Sequence, residues 1–311
     1  VKVFVAGATG ALGLPLVRAL VSAGHEVTGT SRTAERAATV TAVGGTGVVC
    51  DALDRDAVFA VVAEAAPEVV VHQLTALPKS YLALRKGSPA TNRLRTEGTR
   101  HLVDAAVAAG ARRVIAESIA FLYAPTGPAI ATEQSPVWSA AADDSGGMLA
   151  ATFELERTVL EADGVEGVVL RYGALYGPGT YYAADGDVVT QIRRRRWPII
   201  GDGAAITSFV HVADAAAATV RALDAGAPGI YNVTDDAPVA ARDWVPAVAE
   251  LIGAKPPRRV PAGLVRVAAG KAAATAMTQG RGASNAKAKA ELGWAPAHPS
   301  WREGFRAELL P

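Results

Sequence analysis

Val1-Lys2-Val3-Phe4-Val5-Ala6-Gly7-Ala8-Thr9-Gly10-Ala11-Leu12-Gly13 is the stretch that decides the fold. Short apolar and β-branched residues, interrupted only by Lys2, read as a buried strand, and residues 14–23 carry a helical pattern. Between them the glycines form a G-x-x-G-x-x-G array with a stated physical use for each. Gly7 permits the tight strand-to-helix turn, Gly10 lets the backbone approach a pyrophosphate, and Gly13 lets the helix pack close on the strand. The helix start adds free N–H groups and the positive end of a dipole for the phosphates. Gly7, Thr9, Gly10, Ala11, Leu12 and Gly13 are therefore the expected cofactor cradle.

Outward from this turn, residues 25–30 read as a second strand whose following residues meet the adenosine ribose. A carboxylate there suits NAD, whereas cations suit the 2′-phosphate of NADP. The chain has Ser31 and Arg32, with Arg36 one helical turn on, and no acid at the tip. NADP(H) is accordingly expected over NAD(H). A third strand, 46–50, leads into Asp51 and Ala52 at the adenine edge. The fourth, 68–74, ends on Leu74, Thr75 and Ala76 at the carboxyl side where open α/β sheets bind ligands. Lys79 and Tyr81 follow in a loop and are candidate substrate contacts. Helices are expected over 55–66, 91–109 and 148–162, and strands over 114–117 and 165–170. Such alternation implies a parallel sheet covered on both faces.

Beyond residue 170 the rhythm changes to turn-rich segments, with strands expected at 206–211 and 229–233 and helices at 213–223, 242–252 and 264–277. The expected division is a dinucleotide domain over 1–170 and a smaller α/β substrate lobe over 171–311, partly interleaved with the sheet. A net charge of +1 gives no reason to expect nucleic acid or an anionic membrane as partner. The single cysteine, Cys50, rules out an internal disulfide framework and fits a reducing compartment. Neither an apolar run of membrane-spanning length nor a leader pattern is visible, so a cytoplasmic location is expected. The five histidines are scattered, and no metal site is expected.

Several segments together resemble the extended short-chain dehydrogenases/reductases of the NAD(P)-dependent epimerase/dehydratase superfamily. They are Gly7–Gly13, His72–Ala76, Thr96–Leu102, Leu170–Gly179, Ser208–Asp214, Tyr231–Val233 and Leu292–Trp294, in that order along nearly the whole chain. The resemblance implies a Rossmann-type doubly wound parallel sheet, a bound dinucleotide that Tyr172, Gly173 and Leu175 also approach, and a homodimer built through two helices per subunit. It further implies a Ser or Thr after the fifth strand and a Tyr-x-x-x-Lys on the next helix. At that spacing the two side chains share one helix face, and the ammonium favours the phenolate.

The chain departs from this machinery. None of its seven tyrosines has a lysine four residues on, and no lysine lies between Lys86 and Lys255. Aligned on the helix, Met148 stands where the resemblance expects the Tyr and Thr152 where it expects the Lys. A thioether exchanges no proton, and a neutral hydroxyl cannot depress a phenol's pKa. The active hydroxyl falls at Ile119, one residue past Ser118, so Ser118 is kept as a candidate. Replacement acids are Tyr123, Tyr176, Tyr181, Tyr182, Lys79 and His211, with Met148, Tyr181 and Tyr182 also expected to line the substrate pocket. Thr207 replaces an arginine common in nucleotide-sugar members.

The expected function is NADP(H)-dependent reduction, or epimerase-like chemistry, on a small non-nucleotide metabolite. Two other readings stay open: a non-redox isomerase, dehydratase or cyclase on the same fold, and a catalytically inactive NADP-sensing binder.

Overall fold

A computed structural model describes residues 1–86, 88–140 and 147–310, without the side chains of Leu82, Arg85 and Lys86. Strand β1, Lys2–Ala6, runs through the centre of a sheet and feeds helix α1, Gly13–Ser22. Next come β2 (Glu26–Ser31), α2 (Ala34–Thr41), β3 (Thr46–Val49), α3 (Arg55–Ala65) and β4 (Val69–His72). The expected long helix over 91–109 is built in three pieces: α4 (Pro89–Arg93), a wider π-helical segment (Leu94–Gly98) and α5 (Thr99–Ala108). Strand β5, Arg113–Ile119, and helix α6, Met148–Leu160, complete this half of the chain.

All seven strands of the main sheet are parallel. Their spatial order is Gly229–Val233, Glu166–Tyr172, β5, β4, β1, β2, β3. Chain direction reverses its progress between β1 and β4, and this switch point opens a crevice at the carboxyl ends. Strand alternation divides the core in two. Val3, Val5 and Ile115 pack with α1 and the helix Val212–Arg221, whereas Phe4, Val70 and Val114 pack with α3, α5 and α6. The seventh strand comes from residues 229–233, well beyond the change of rhythm at 170.

A separate aromatic core holds the later part of the chain together. Tyr176, Tyr182, Phe209, Trp244, Trp301 and Phe305 are all buried there. The expected strand 206–211 is split: Ile206–Thr207 pairs with Val239–Ala240, and Phe209–His211 pairs with Ala174–Tyr176. The expected helix 264–277 is likewise two helices, Ala262–Ala269 and Lys271–Gln279, broken at Gly270 where φ is 86°. No helix among the described residues is long and apolar enough to cross a membrane.

Candidate active site

The glycine-rich turn is built by close approach. Gly7 has φ 86°, and a Cβ there would stand 2.5 Å from the Gln73 carbonyl oxygen. A Cβ on Gly13 would stand 2.1 Å from the Gly7 oxygen, so both glycines are fixed by backbone packing. Gly10 differs. It is exposed, and a Cβ would meet nothing nearer than the Gly7 oxygen at 3.4 Å. The only protein reason for glycine at position 10 is thus weak, while the face it leaves bare suits a pyrophosphate. Exposed Gly10 and Ala11, ahead of the α1 amides, fit that group.

The other expected cofactor residues lie at neighbouring strand ends. Ser31 ends β2 and Arg32 follows it; the Thr9 hydroxyl donates to Ser31 Oγ at 3.3 Å, and Arg36 Nη2 donates to the Thr9 carbonyl at 2.8 Å. Arg32 is exposed. Asp51 caps its own turn by accepting the Leu53 N–H at 3.0 Å, and Ala52 is buried beside it. After β4, Leu74 N–H donates to His72 Nδ1 at 3.2 Å, and Ala76 N–H to Thr91 Oγ1 at 3.0 Å, leaving Thr75 exposed between them. Because Nδ1 accepts, Nε2 carries the proton and donates to Thr99 Oγ1 at 3.0 Å. Burial pushes the His72 imidazole down to about 4, so it is neutral and structural.

Three further expected cofactor residues are fixed by packing around them. The Tyr172 hydroxyl bonds Thr219 Oγ1 at 2.6 Å and accepts from Gln73 Nε2 at 3.2 Å inside the α1-side core. Gly173 is required by the backbone of Ser208, whose oxygen would lie 2.6 Å from a Cβ. Leu175 packs against the α1-side core from a short strand. The turn just beyond does reach the crevice: Gly179 lies over Ala11, at 3.8 Å from a Cβ placed on it.

The candidate acids are dispersed, and the physical reasons are plain. Ser118 faces α6, where its hydroxyl donates to Glu156 Oε1 at 2.6 Å. Arg171 holds the same carboxylate through both oxygens, at 2.8 and 2.6 Å. The Tyr123 hydroxyl accepts from Arg171 Nη1 at 3.2 Å and donates to Asn232 Oδ1 at 2.6 Å, so it is a buried bridge. Tyr176 is fully buried beside Phe305, and Gly304 is glycine because a Cβ would sit 2.0 Å from that phenol oxygen. Burial raises the pKa of Tyr123 and of Tyr176, the reverse of what a proton relay needs.

Among the expected substrate contacts, the structure joins two loops. Ser80 Oγ and the Tyr81 N–H both donate to Asp187 Oδ2, at 3.1 and 2.8 Å, and the Tyr181 hydroxyl donates to the Pro78 carbonyl. Tyr81 packs edge-on against Tyr181, Tyr182 and Trp197. Tyr182 is buried in that cluster, whereas Lys79 is exposed beside it. Met148 stands elsewhere, half-buried at the start of α6.

Two histidines that are far apart in sequence meet. His211 and His298 stack with ring centroids 4.0 Å apart, next to Asp214 and Glu308. Three residues of this group have the spacing of metal ligands. Their atoms are already engaged: Asp214 accepts the backbone N–H groups of Ala297 and His298 as well as bonding His298 Nδ1, and His211 Nδ1 caps a helix through the Ala213 N–H. The cluster ties the C-terminal segment to the helix Val212–Arg221.

Sequence reading missed Arg95, Glu117 and Glu156. Arg95 Nε and Nη2 reach Glu117 Oε1 at 3.4 and 3.2 Å, and Nη1 donates to Thr152 Oγ1 at 2.9 Å. With Arg171 these three make four charged residues buried beside strand ends, a signal in themselves that only pairing reveals.

A parallel sheet of order 3-2-1-4-5-6-7, with a glycine-rich phosphate cradle at its switch point, defines a dinucleotide-binding α/β protein. The chain belongs to the NAD dependent epimerase/dehydratase family, whose model matches residues 3–234. A curated relative, a 3-diazoavenalumate denitrifying reductase from Streptomyces sp, is 48% identical over 312 residues, covering 99% of this chain and 100% of the relative. Among solved structures, a UDP-glucose 4-epimerase from Thermotoga maritima superposes with TM-score 0.76 at 20% identity, over 99% of this chain and 97% of that one. A dTDP-glucose 4,6-dehydratase from Streptomyces venezuelae, with NAD bound, gives TM-score 0.78 at 20% identity, over 99% and 96%. Likeness at that identity speaks for the fold.

Proposed function

We propose that the chain is an NAD(P)H-dependent reductase that replaces the diazonium group of a small organic carboxylate with hydrogen, releasing N2. What carries this reading is one conjunction. A chain without any Tyr-x-x-x-Lys is 48% identical, end to end, to a relative named as a denitrifying reductase of a diazo carboxylate. Carbonyl reduction needs a hydride and a proton, hence a relay. Loss of N2 needs no proton: the C–H bond forms, the C–N bond breaks, and N2 leaves with that electron pair. The hydride cancels the diazonium's positive charge, and the product keeps only the charge of its carboxylate. Bound NAD(P)H supplies the hydride.

The residues at the departed positions support the same reading. Diazonium ions couple readily to phenolates and amines, and Met148 and Thr152 offer neither. Burial keeps the nearby phenols protonated, with Tyr81 raised and Tyr181 pushed up to about 12. Lys79 is exposed next to the Tyr81–Tyr181 contact, and its ammonium suits the carboxylate. Arg32 and Arg36 favour NADPH over NADH. Helices α5 and α6, packed side by side, suit a two-fold four-helix contact in a homodimer.

The test uses an arenediazonium carboxylate and NADPH deuterated on one or the other face of the nicotinamide C4. Enzymatic transfer is expected from one face only, with one deuterium in the product and one N2 per NADPH consumed. Deuterium arriving from heavy water instead, or no acceleration over the enzyme-free reaction, would overturn the reading.

A further inference from the structure

We infer that Glu117 is the anionic seat for the cationic group of the substrate, with Arg95 as its positioning residue; this rests on the diazonium reading above. Strand alternation places it. In β5, Ile115 packs in the α1-side core and Ala116 in the α6-side core. Ser118 continues the α6 side, bonded to Glu156. Glu117 and Ile119 therefore share the opposite face, at the carboxyl end of the strand beside the switch-point crevice.

Arg95 is brought there by the π-helical segment Leu94–Gly98, a local widening often found at functional sites. Its guanidinium touches only Oε1 of Glu117, through Nε and Nη2, while its remaining arm is held by Thr152. Thr152 in turn donates to the Met148 carbonyl at 2.8 Å, which locks the fork in place. Among the described residues, Glu117 Oε2 has no hydrogen-bond partner, and a tenth of the side chain stays exposed. The pair is thus a fixed dipole whose free end is negative. A carboxylate of this kind steadies a positive group without coupling to it as a phenolate would.

The experiment compares an arenediazonium carboxylate with the nitrile of the same shape, which is isoelectronic and uncharged. Wild-type enzyme and Glu117→Gln are assayed for kcat/KM with the diazonium and for inhibition by the nitrile. The expected result is a loss of about tenfold in kcat/KM with nitrile inhibition unchanged. Because Glu117→Gln leaves Arg95 without its anion, a variant carrying Arg95→Met and Glu117→Leu is measured in parallel and should show the same selective loss. Equal losses for cation and nitrile, or none, would overturn the inference while N2 release by the wild type leaves the reductase reading standing. Absence of turnover in the wild type would overturn both.

Discussion

Arg171 grips Glu156 by both carboxylate oxygens, with Nε 2.8 Å from Oε1 and Nη2 2.6 Å from Oε2, and both side chains are more than nine-tenths buried. Ser118 adds a third donor to the same anion. Removing the cation should therefore cost far more than removing the hydroxyl. Arg171→Met is expected to lose about 3–5 kcal/mol, because it strands a buried charge. Ser118→Ala should lose about 1–2 kcal/mol and keep its turnover. Denaturant titration and steady-state rates check both, and a Ser118→Ala enzyme that is stable yet inactive would return that hydroxyl to the chemistry.

The cradle glycines separate folding from binding. A methyl on Gly13 would collide with backbone at 2.1 Å, whereas one on Gly10 meets only an oxygen at 3.4 Å. Gly13→Ala is expected to destabilise the protein by about 1–3 kcal/mol. Gly10→Ala should fold normally and bind dinucleotide about tenfold more weakly. Calorimetry of unfolding and of NADPH uptake distinguishes the two.

Cofactor choice should follow the two arginines after β2. Arg36 already braces the loop through the Thr9 carbonyl at 2.8 Å. Arg32→Ala and Arg36→Ala are each expected to raise KM for NADPH about tenfold. KM for NADH should change little, apart from a small rise in Arg36→Ala through the lost brace. Parallel kinetics with the two cofactors decide it; equal effects on both would mean that the 2′-phosphate is not read here.

Asp235 lowers stability as pH rises toward neutrality. It is buried, Oδ1 accepts the Ala237 N–H at 3.2 Å, Oδ2 meets no hydrogen-bond criterion among the described residues, and burial, outweighing the nearby Ala237 and Trp301 N–H groups, pushes the carboxyl from its ordinary 3.8 up to about 7. The folded state then holds this proton more tightly than the unfolded chain. The contribution is fully present below 3.8 and is lost as pH rises through about 7. Such a shift corresponds to about 4 kcal/mol. Asp235→Asn should flatten that fall and be the more stable protein above neutrality, as thermal unfolding across pH would show. His72, pushed down to about 4, works in the other direction, and its contribution fades as pH drops from 6.5 toward 4.

The Rossmann-type parallel sheet and its glycine-rich first turn were legible because each rests on local signals: apolar runs alternating with helical patterns, and glycines at fixed spacing. Position on a strand was harder. Reading Ser118 as reaching the crevice required knowing which way β5 faces, and a one-residue step reverses that. Tyr176 looked available because it follows a strand, yet contacts with Phe209, Phe305 and Gly304 from distant sequence bury it. Arg95 and Glu117 lie 22 residues apart and became visible as a unit only through the π-helical turn between them and the sheet. The meeting of His211 with His298 was hidden for the same reason.

The sheet's outermost strand, Gly229–Val233, also bears on how the molecule is made. Arg113, at the start of β5, reaches forward to the carbonyls of Ala222, Ala225 and Gly226 just ahead of that strand. A nascent chain leaving the ribosome must expose one flank of Glu166–Tyr172 until some sixty further residues have emerged. A chain cut near residue 170 would leave that flank open to pairing with other copies, so the sheet is closed only once the later strand has been made.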